Sequence, residues 1–304
     1  MRHLPKINQL KNLRAVIQHG SIRSAAEANH QTQSAMTRSI QELEKTLGVV
    51  LLDRTARGAL LTEAGRIFEP RMNLVLNELE RAVDELRQQE SAAQGVVMFG
   101  CSHLPAFGIM PGIIERFQAR YPQATLTVIE GQLSELLASL RLGRMDFFLG
   151  IVTPDIALQE FSEELLGRAK FCVFAHKDHP LSQARSLAEL RNAKWYLPIA
   201  SAGFFSAIES VVFPDGKGPE ASVLYGDSTT IAEQLILSEG YLSVGPQAML
   251  ALPWLKDKLC QINVEEILPD GKYSLIYRQQ QTLTPVAKLL MNDIRHTFIK
   301  YFPG

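Results

Sequence analysis

Residues 20–65 read GSIRSAAEANHQTQSAMTRSIQELEKTLGVVLLDRTARGALLTEAG, and their spacing decides the first part of the fold. Apolar periodicity and start signals predict three successive helices, Ile7 to His19, Ser21 to Asn29 and Gln33 to Leu47, with short joints between them. Gly20 stops the first helix, Ser21 is placed to cap the second and Thr32 to cap the third through its hydroxyl. In the third helix Met36, Ile40, Leu43 and Leu47 recur at spacings of four, three and four, which gives one buried stripe. Ser34, Thr37, Arg38 and Gln41 then face away from it. After Gly48 the segments VVLLDRT and ARGALLT are expected to form a two-stranded ribbon, a wing with Arg54 and Arg57 at its tip.

Charge separates this end from the rest. Residues 1–58 hold nine Lys and Arg against four Asp and Glu, while the remaining chain holds 22 against 28, although the whole sums to −1. A polyanion would be repelled everywhere but the N-terminus, so nucleic-acid contact belongs there. The outward face of the third helix suits that task. Gln pairs with an adenine edge, Arg with guanine, hydroxyls with bases or phosphates, and the helix N-terminus attracts phosphate.

The quoted stretch resembles the DNA-binding domain of LysR-type transcriptional regulators. The resemblance rests on Ala25 and Ala26, on Gln33, Ala35 and Arg38, on Leu43-Glu44, on the Gly48 turn, on the wing arginines and on Leu61-Thr62-Glu63-Ala64-Gly65. It implies a winged helix-turn-helix over 1–62 with DNA contacts from Arg23, Gln33, Ser34, Thr37, Arg38, Gln41, Arg54 and Arg57. The chain departs from the family's habit at Ser34, where proline is usual, and at Asn29 and Gln31, where apolar residues are usual. Loss of proline makes the Thr32 cap more important, and the two polar residues predict a looser turn, unless Asn29 stops its helix in the left-handed conformation.

From Glu63 to about Gln89 a single polar helix is expected, with Phe68, Met72, Val75, Leu79, Ala82 and Leu86 at alternating spacings of four and three. That is a heptad seam, and it resembles the linker helix (63–90) through which LysR-type proteins dimerise and read paired half-sites of duplex DNA. Pro70 lies inside it and is expected to kink or restart the helix. The family resemblance further implies a homotetramer built as two dimers, with RNA polymerase as a further partner.

Beyond Gln94-Gly95, strands alternate with helices, which predicts parallel α/β layers. One helix is expected from about Pro105 to Tyr121. Through RYPQATLTVIEG, LRLGRMDFFLG and HKDHPL this part resembles the two-lobed effector domain of the same family, similar to periplasmic binding proteins. The fold class is thus α/β with an N-terminal winged helix-turn-helix. The effector domain would span 94–304, its first lobe about 94–162 plus 268–304 and its second about 163–267. Ligands in such sheets sit beyond the carboxyl ends of strands. That rule points to Ser102, His103, Gln132, Val152 and Thr153 from the first lobe, and to Ser201, Gly203, Phe204, Phe205, Asp227, Ser228 and Pro246 from the second. Hydroxyls, a protonated His103 and apolar phenylalanines would suit a small organic acid with an apolar or aromatic portion.

Three other functions fit the sequence less well. An enzyme would need a motif such as GxSxG, a Walker loop, GxGxxG or HExxH, and none occurs, so neither catalysis nor a cofactor is expected. His176 and His179 stand three apart but lack a third metal ligand in sequence. A solute-binding protein would carry no DNA-reading head. Control by cysteine oxidation would call on Cys101, Cys172 or Cys260, which are widely spaced. Their odd number predicts no disulfide framework, and with no leader-like or spanning segment a reduced, cytoplasmic protein is expected, with no membrane partner.

Overall fold

The computed structural model describes residues 4–55, 58–88, 95–152, 157–199, 204–214, 216–268, 270–279 and 282–301. The chain divides into two compact units, Met1–Ser91 with Arg141–Arg144 and Ala92–Leu140 with Met145–Gly304.

In the first unit three helices follow the apolar periods: α1 (Ile7–His19), α2 (Ile22–Ala28) and α3 (Gln33–Leu47). Gly20, at φ 73°, ends α1 with its N–H bonded to the Val16 carbonyl, and the Ser21 hydroxyl accepts the Ser24 N–H at 3.0 Å. The Thr32 hydroxyl accepts the Ala35 N–H at 3.2 Å, so the cap replaces proline's pre-organisation at the start of α3. Leu10, Leu13, Val16, Ala25, Ala26, Met36, Ile40 and Leu43 bury their side chains in one core. Each large one contributes about 1.5–3 kcal/mol. Leu47 is only half-buried at the edge of that core.

The turn between α2 and α3 differs from expectation. The left-handed residue is His30 (φ 53°), while Asn29 sits at φ −95°. Gln31 is tied in: its amide donates to Asn12 Oδ1 at 3.3 Å, and Asn12 Nδ2 donates to Ser39 Oγ at 2.8 Å. A polar link across α1, the turn and α3 thus stands where a looser turn was expected, because the buried Asn12 needs partners.

Strands β1 (Leu52–Thr55) and β2 (Gly58–Leu61) pair antiparallel as the wing. Two contacts hold it. The Glu44 carboxylate accepts the N–H groups of Leu51 (2.8 Å) and Leu52 (3.2 Å), and the Ala59 N–H donates to the Gly20 carbonyl (2.9 Å). Gly58, at φ 132°, passes so near Gly20 that a Cβ would lie 2.4 Å from its carbonyl oxygen.

Helix α4 (Glu63–Gln88) continues through Pro70 without a restart. Its apolar residues divide between two faces, which corrects the single seam expected from spacing. Met72 and Leu76 are fully buried and Phe68 packs beside them in the core of α1 to α3, whereas Val75, Leu79, Val83 and Leu86 are 41–64% exposed.

The second unit holds two five-stranded sheets. The first collects β3 (Gly95–Cys101), β4 (Ala124–Glu130), β5 (Phe147–Val152), β6 (Phe161–Ala169) and β12 (Gly271–Arg278) in the order β4-β3-β5-β12-β6. Between them run α5 (His103–Gly108), α6 (Met110–Arg120) and α7 (Leu133–Arg141). The helix expected over Pro105 to Tyr121 is therefore two, broken at Ile109 ahead of Pro111. The second sheet comprises β7 (Phe171–His176), β8 (Lys194–Pro198), β9 (Ser222–Gly226), β10 (Tyr241–Pro246) and β11 (Leu259–Ile262) in the order β11-β7-β10-β8-β9, with α8 (Phe204–Val212) and α9 (Thr229–Ser238). The chain ends in α10 (Pro285–Tyr301).

Strands β6 and β11 have no counterpart in the sequence reading. Phe161–Ala169 belongs to the first sheet, so the expected lobe boundary at 162/163 falls inside a strand and the crossing comes after Ala169. Its glutamates disguise it, and both are answered by neighbours: Glu163 accepts from Ser274 Oγ at 2.8 Å and Glu164 from Arg295 Nη2 at 2.7 Å. No helix among the described residues is long and apolar enough to cross a membrane.

The wing clamp yields a test. Glu44→Ala leaves two backbone N–H groups without their acceptor, one of them on the fully buried Leu51. It is expected to cost about 1–3 kcal/mol, read as a lower midpoint for the first unit's thermal transition. An unchanged midpoint would deny the clamp any part in stability.

Candidate functional site

Two surfaces carry chemistry. On α3, Gln33, Ser34, Thr37, Arg38 and Gln41 line one open, shallow face on the side opposite Met36, Ile40 and Leu43. Ser34 Oγ lies 3.1 Å from Thr32 Oγ1, next to the helix N-terminus. Arg38 pairs with Glu42 at 3.2 Å, and Arg23 on α2 pairs with Glu27 at 3.0 Å. Both are exposed one-turn pairs worth at most a few tenths of a kcal/mol, so either guanidinium is easily released to an anionic partner. Arg54 lies in β1 but its side chain is outside the described residues, as is all of Arg57.

The second surface is a cleft of about 460 Å³ within the second unit, a size suited to a small organic molecule. Elements of both sheets wall it. From the first come Ser102, His103, Glu130, Gln132, Leu133 and Ile151; from the second come Phe174, Tyr196, Asp227, Ser228, Ser243 and Pro246. Carboxyl ends of strands put them there. β3 delivers Ser102, whose N–H donates to the Leu149 carbonyl (2.9 Å), β4 ends on Glu130, and β9 leads into Asp227 and the Ser228 cap of α9. The Tyr196 hydroxyl donates to the Ser228 carbonyl at 3.0 Å. Burial, and then the Asp227 charge, pushes its phenol above the ordinary range, so it stays a neutral donor.

Of the residues expected at the cleft, Ser102, His103, Gln132, Asp227, Ser228 and Pro246 line it. Val152 does not: it is buried with Leu133, Phe148 and Ile276, and its neighbour Ile151 lines the cleft instead, because adjacent strand residues face opposite sides. Thr153, Ser201 and Gly203 lie outside the described residues, and Phe204 and Phe205 open α8 with side chains outside them. Missed were Glu130, Glu135, Tyr196, Phe174 and Ser243. The rule that picked Ser102 would have found Glu130, the last residue of its strand.

The charges also differ from those that suit an organic acid. His103 Nδ1 lies 2.8 Å from Glu130, while its Nε2, 3.5 Å from Glu233 of α9, has no hydrogen-bond partner among the described residues. No Lys or Arg lines the cleft among the described residues, and none occurs in the sequence at 153–156 or 200–207. Glu130, Glu135 and Asp227 do line it.

A helix-turn-helix head with an exposed polar face on α3, followed by a two-sheet unit enclosing a cleft, is the layout of a DNA-binding transcriptional regulator. Comparison with known proteins makes this specific. Residues 7–66 match the family model described as bacterial regulatory helix-turn-helix protein, lysR family, and residues 90–298 match LysR substrate binding domain. The chain belongs to the LysR family of transcriptional regulators. It is similar to the HTH-type transcriptional regulator TdcA of Escherichia coli (strain K12), 31% identical over 288 residues that cover 95% of this chain and 92% of the relative. In fold it is similar to ArgP from Mycobacterium tuberculosis (TM-score 0.72, 16% identity, 99% of each chain covered). A full-length OxyR variant from Pseudomonas aeruginosa is also similar (TM-score 0.67, 17% identity, 98% of this chain and 95% of that one covered).

The three cysteines differ in burial. Burial, with the Glu130 charge second, pushes the Cys101 thiol up to about 12, and burial does the same to Cys172. Cys260 is partly exposed, its thiol raised by burial and then by Asp178. Raised thiols hold their protons at neutral pH, and only thiolates attack electrophiles. Iodoacetamide at neutral pH is therefore expected to label Cys260 first, with Cys101 and Cys172 reacting only on unfolding. Mass spectrometry showing Cys101 labelled as fast as Cys260 in the folded protein would contradict this.

Proposed function

We propose that this LysR-family regulator reads paired half-sites as a dimer and is switched by a small molecule bound between the two sheets of its effector unit. The cleft of about 460 Å³, walled by both sheets, is the observation that carries the proposal. Residues 1–62 form the DNA-binding part, 63–90 the dimerisation helix and 94–304 the effector part. Gln33, Ser34, Thr37, Arg38 and Gln41 read base edges, while Arg23, Arg54 and Arg57 hold phosphates. Support for base reading comes from the exposure of the α3 face and the weakness of the ion pair on Arg38.

The dimer contact is the exposed strip Val75, Leu79, Val83 and Leu86 of α4, open to a partner because Phe68, Met72 and Leu76 serve the head's own core. Two such helices side by side bury the strip and set the heads about one DNA turn apart. Two dimers then associate as a tetramer. Ligand draws the walls of the cleft together, alters how the dimers associate and so changes the spacing of heads on the DNA presented to RNA polymerase. Such coupling requires that the ligand bind the two states with different affinity. Ligand control is favoured over cysteine oxidation, because Cys101, the thiol near the cleft wall, is buried and protonated at neutral pH.

Three measurements check this. Arg38→Ala is expected to weaken operator binding by about 1–3 kcal/mol and to relax preference at one base, and Arg57→Ala to weaken all duplexes alike and lower the salt slope by about one. Equal losses on operator and random DNA for Arg38→Ala would remove base reading. Leu79→Glu should yield monomers by light scattering; an unchanged mass would place the dimer contact elsewhere. A broad thermal-shift screen of small metabolites should find stabilisers whose effect disappears in Ala232→Trp or Thr230→Trp, which obstruct the cleft, and stabilisation that persists in both would locate the ligand elsewhere.

A further inference from the structure

The cleft has a charge character that the family's fold does not dictate. Besides the neutral phenol of Tyr196, four ionisable side chains line it among the described residues: Glu130, Glu135, Asp227 and His103. His103 offers an incoming anion little. It stands between Glu130 (2.8 Å) and Glu233 (3.5 Å), so an anion approaching it meets two carboxyl groups. Glu135 accepts the Gln132 N–H at 3.2 Å and caps its own helix. Asp227 is different: it is exposed toward the cleft at the head of α9, and no hydrogen bond or ion pair engages its carboxylate among the described residues. A ligand whose only charge is a carboxylate would face like charges with no Lys or Arg to receive it, which selects against such anions; a carboxylate carried beside an ammonium group has only the backbone N–H groups at the start of α9 to meet.

Two further observations complete the picture. Ser102 lines the cleft, and its hydroxyl, packed against Gly150 with almost no accessible surface, has no hydrogen-bond partner among the described residues; a polar ligand atom satisfies it once the side chain turns toward the cleft. Leu104, Ile151, Phe174, Val244 and Met249 supply an apolar wall around it. We infer that the effector carries a protonated amino group on a short apolar body, the cation received by Asp227 and a polar atom by Ser102. The shared chemistry is the ammonium group, whether it belongs to a simple amine or to an amino acid. The inference rests on the reading of this cleft as the effector site.

Two matched trios of probes separate the charge types on one skeleton: isoamylamine, L-leucine and isocaproate, and phenethylamine, L-phenylalanine and hydrocinnamate. Full-length protein is titrated with each by calorimetry and thermal shift. In at least one trio the amine, alone or together with the amino acid, should bind at least roughly tenfold more tightly than the carboxylate, as loss of one charge-assisted contact implies. The amine binding alone assigns the natural ligand to simple amines; the amino acid binding as well assigns it to zwitterions. Asp227→Asn should weaken these compounds roughly tenfold, and Asp227→Lys should invert the order so that the carboxylate binds best. Asp227 is exposed, so both variants should keep the parent's unliganded melting temperature.

Carboxylates binding as well as amines, Asp227→Asn leaving amine affinity unchanged, or neither trio binding would each overturn the inference. Thr230→Trp separates its failure from that of the cleft. Anion-preferring binding that Thr230→Trp abolishes rejects the ammonium group alone, and binding that survives Thr230→Trp rejects the cleft.

Discussion

The two-sheet unit depends on the return of one strand. β12 comes back from the second sheet and inserts between β5 and β6, bonded antiparallel to both. Its Tyr273, Ser274, Leu275 and Ile276 are almost wholly buried, so the strand is covered on both faces and both edges. Every backbone polar group so enclosed needs a partner, and only this placement supplies them. The insertion also obliges the chain to cross between the sheets twice, once after Ala169 and again before Gly271. Two crossings hold two sheets beside one cleft, and their buried residues join in one core.

Much of this was legible in sequence where one residue type has one physical use. Gly20, Ser21 and Thr32 punctuate the head as their backbone chemistry requires, and the stripe Met36, Ile40, Leu43 settles which way α3 faces. Legibility fails where a tertiary partner changes a residue's role. Gln31 looks misplaced until Asn12 is found 3.3 Å away, and β6 reads as polar until Ser274 and Arg295 are seen to engage its glutamates.

The same reasoning explains the errors in the seam and the cleft. Periods of three and four place Phe68, Met72, Val75 and Leu79 along one side of α4, but a helix that packs on its own head and also shows an apolar strip needs two stripes, and spacing alone does not separate them. In the cleft a single step along β5 exchanges Val152 for Ile151. Strand ends locate the binding region well and choose poorly between neighbours, since adjacent side chains point to opposite sides.

The contact of Gly58 with the Gly20 carbonyl has a further meaning for how an operator is read. With no Cβ at 58 and the Ala59 N–H bonded to that same carbonyl, the wing is fastened to the joint between α1 and α2, and through Glu44 to the far end of α3. Wing and reading helix therefore travel as one piece. In the DNA contact proposed above, the distance along the duplex between the bases met by α3 and the backbone met by the wing would be built into the protein, so an operator would have to match a fixed ruler before any base is compared.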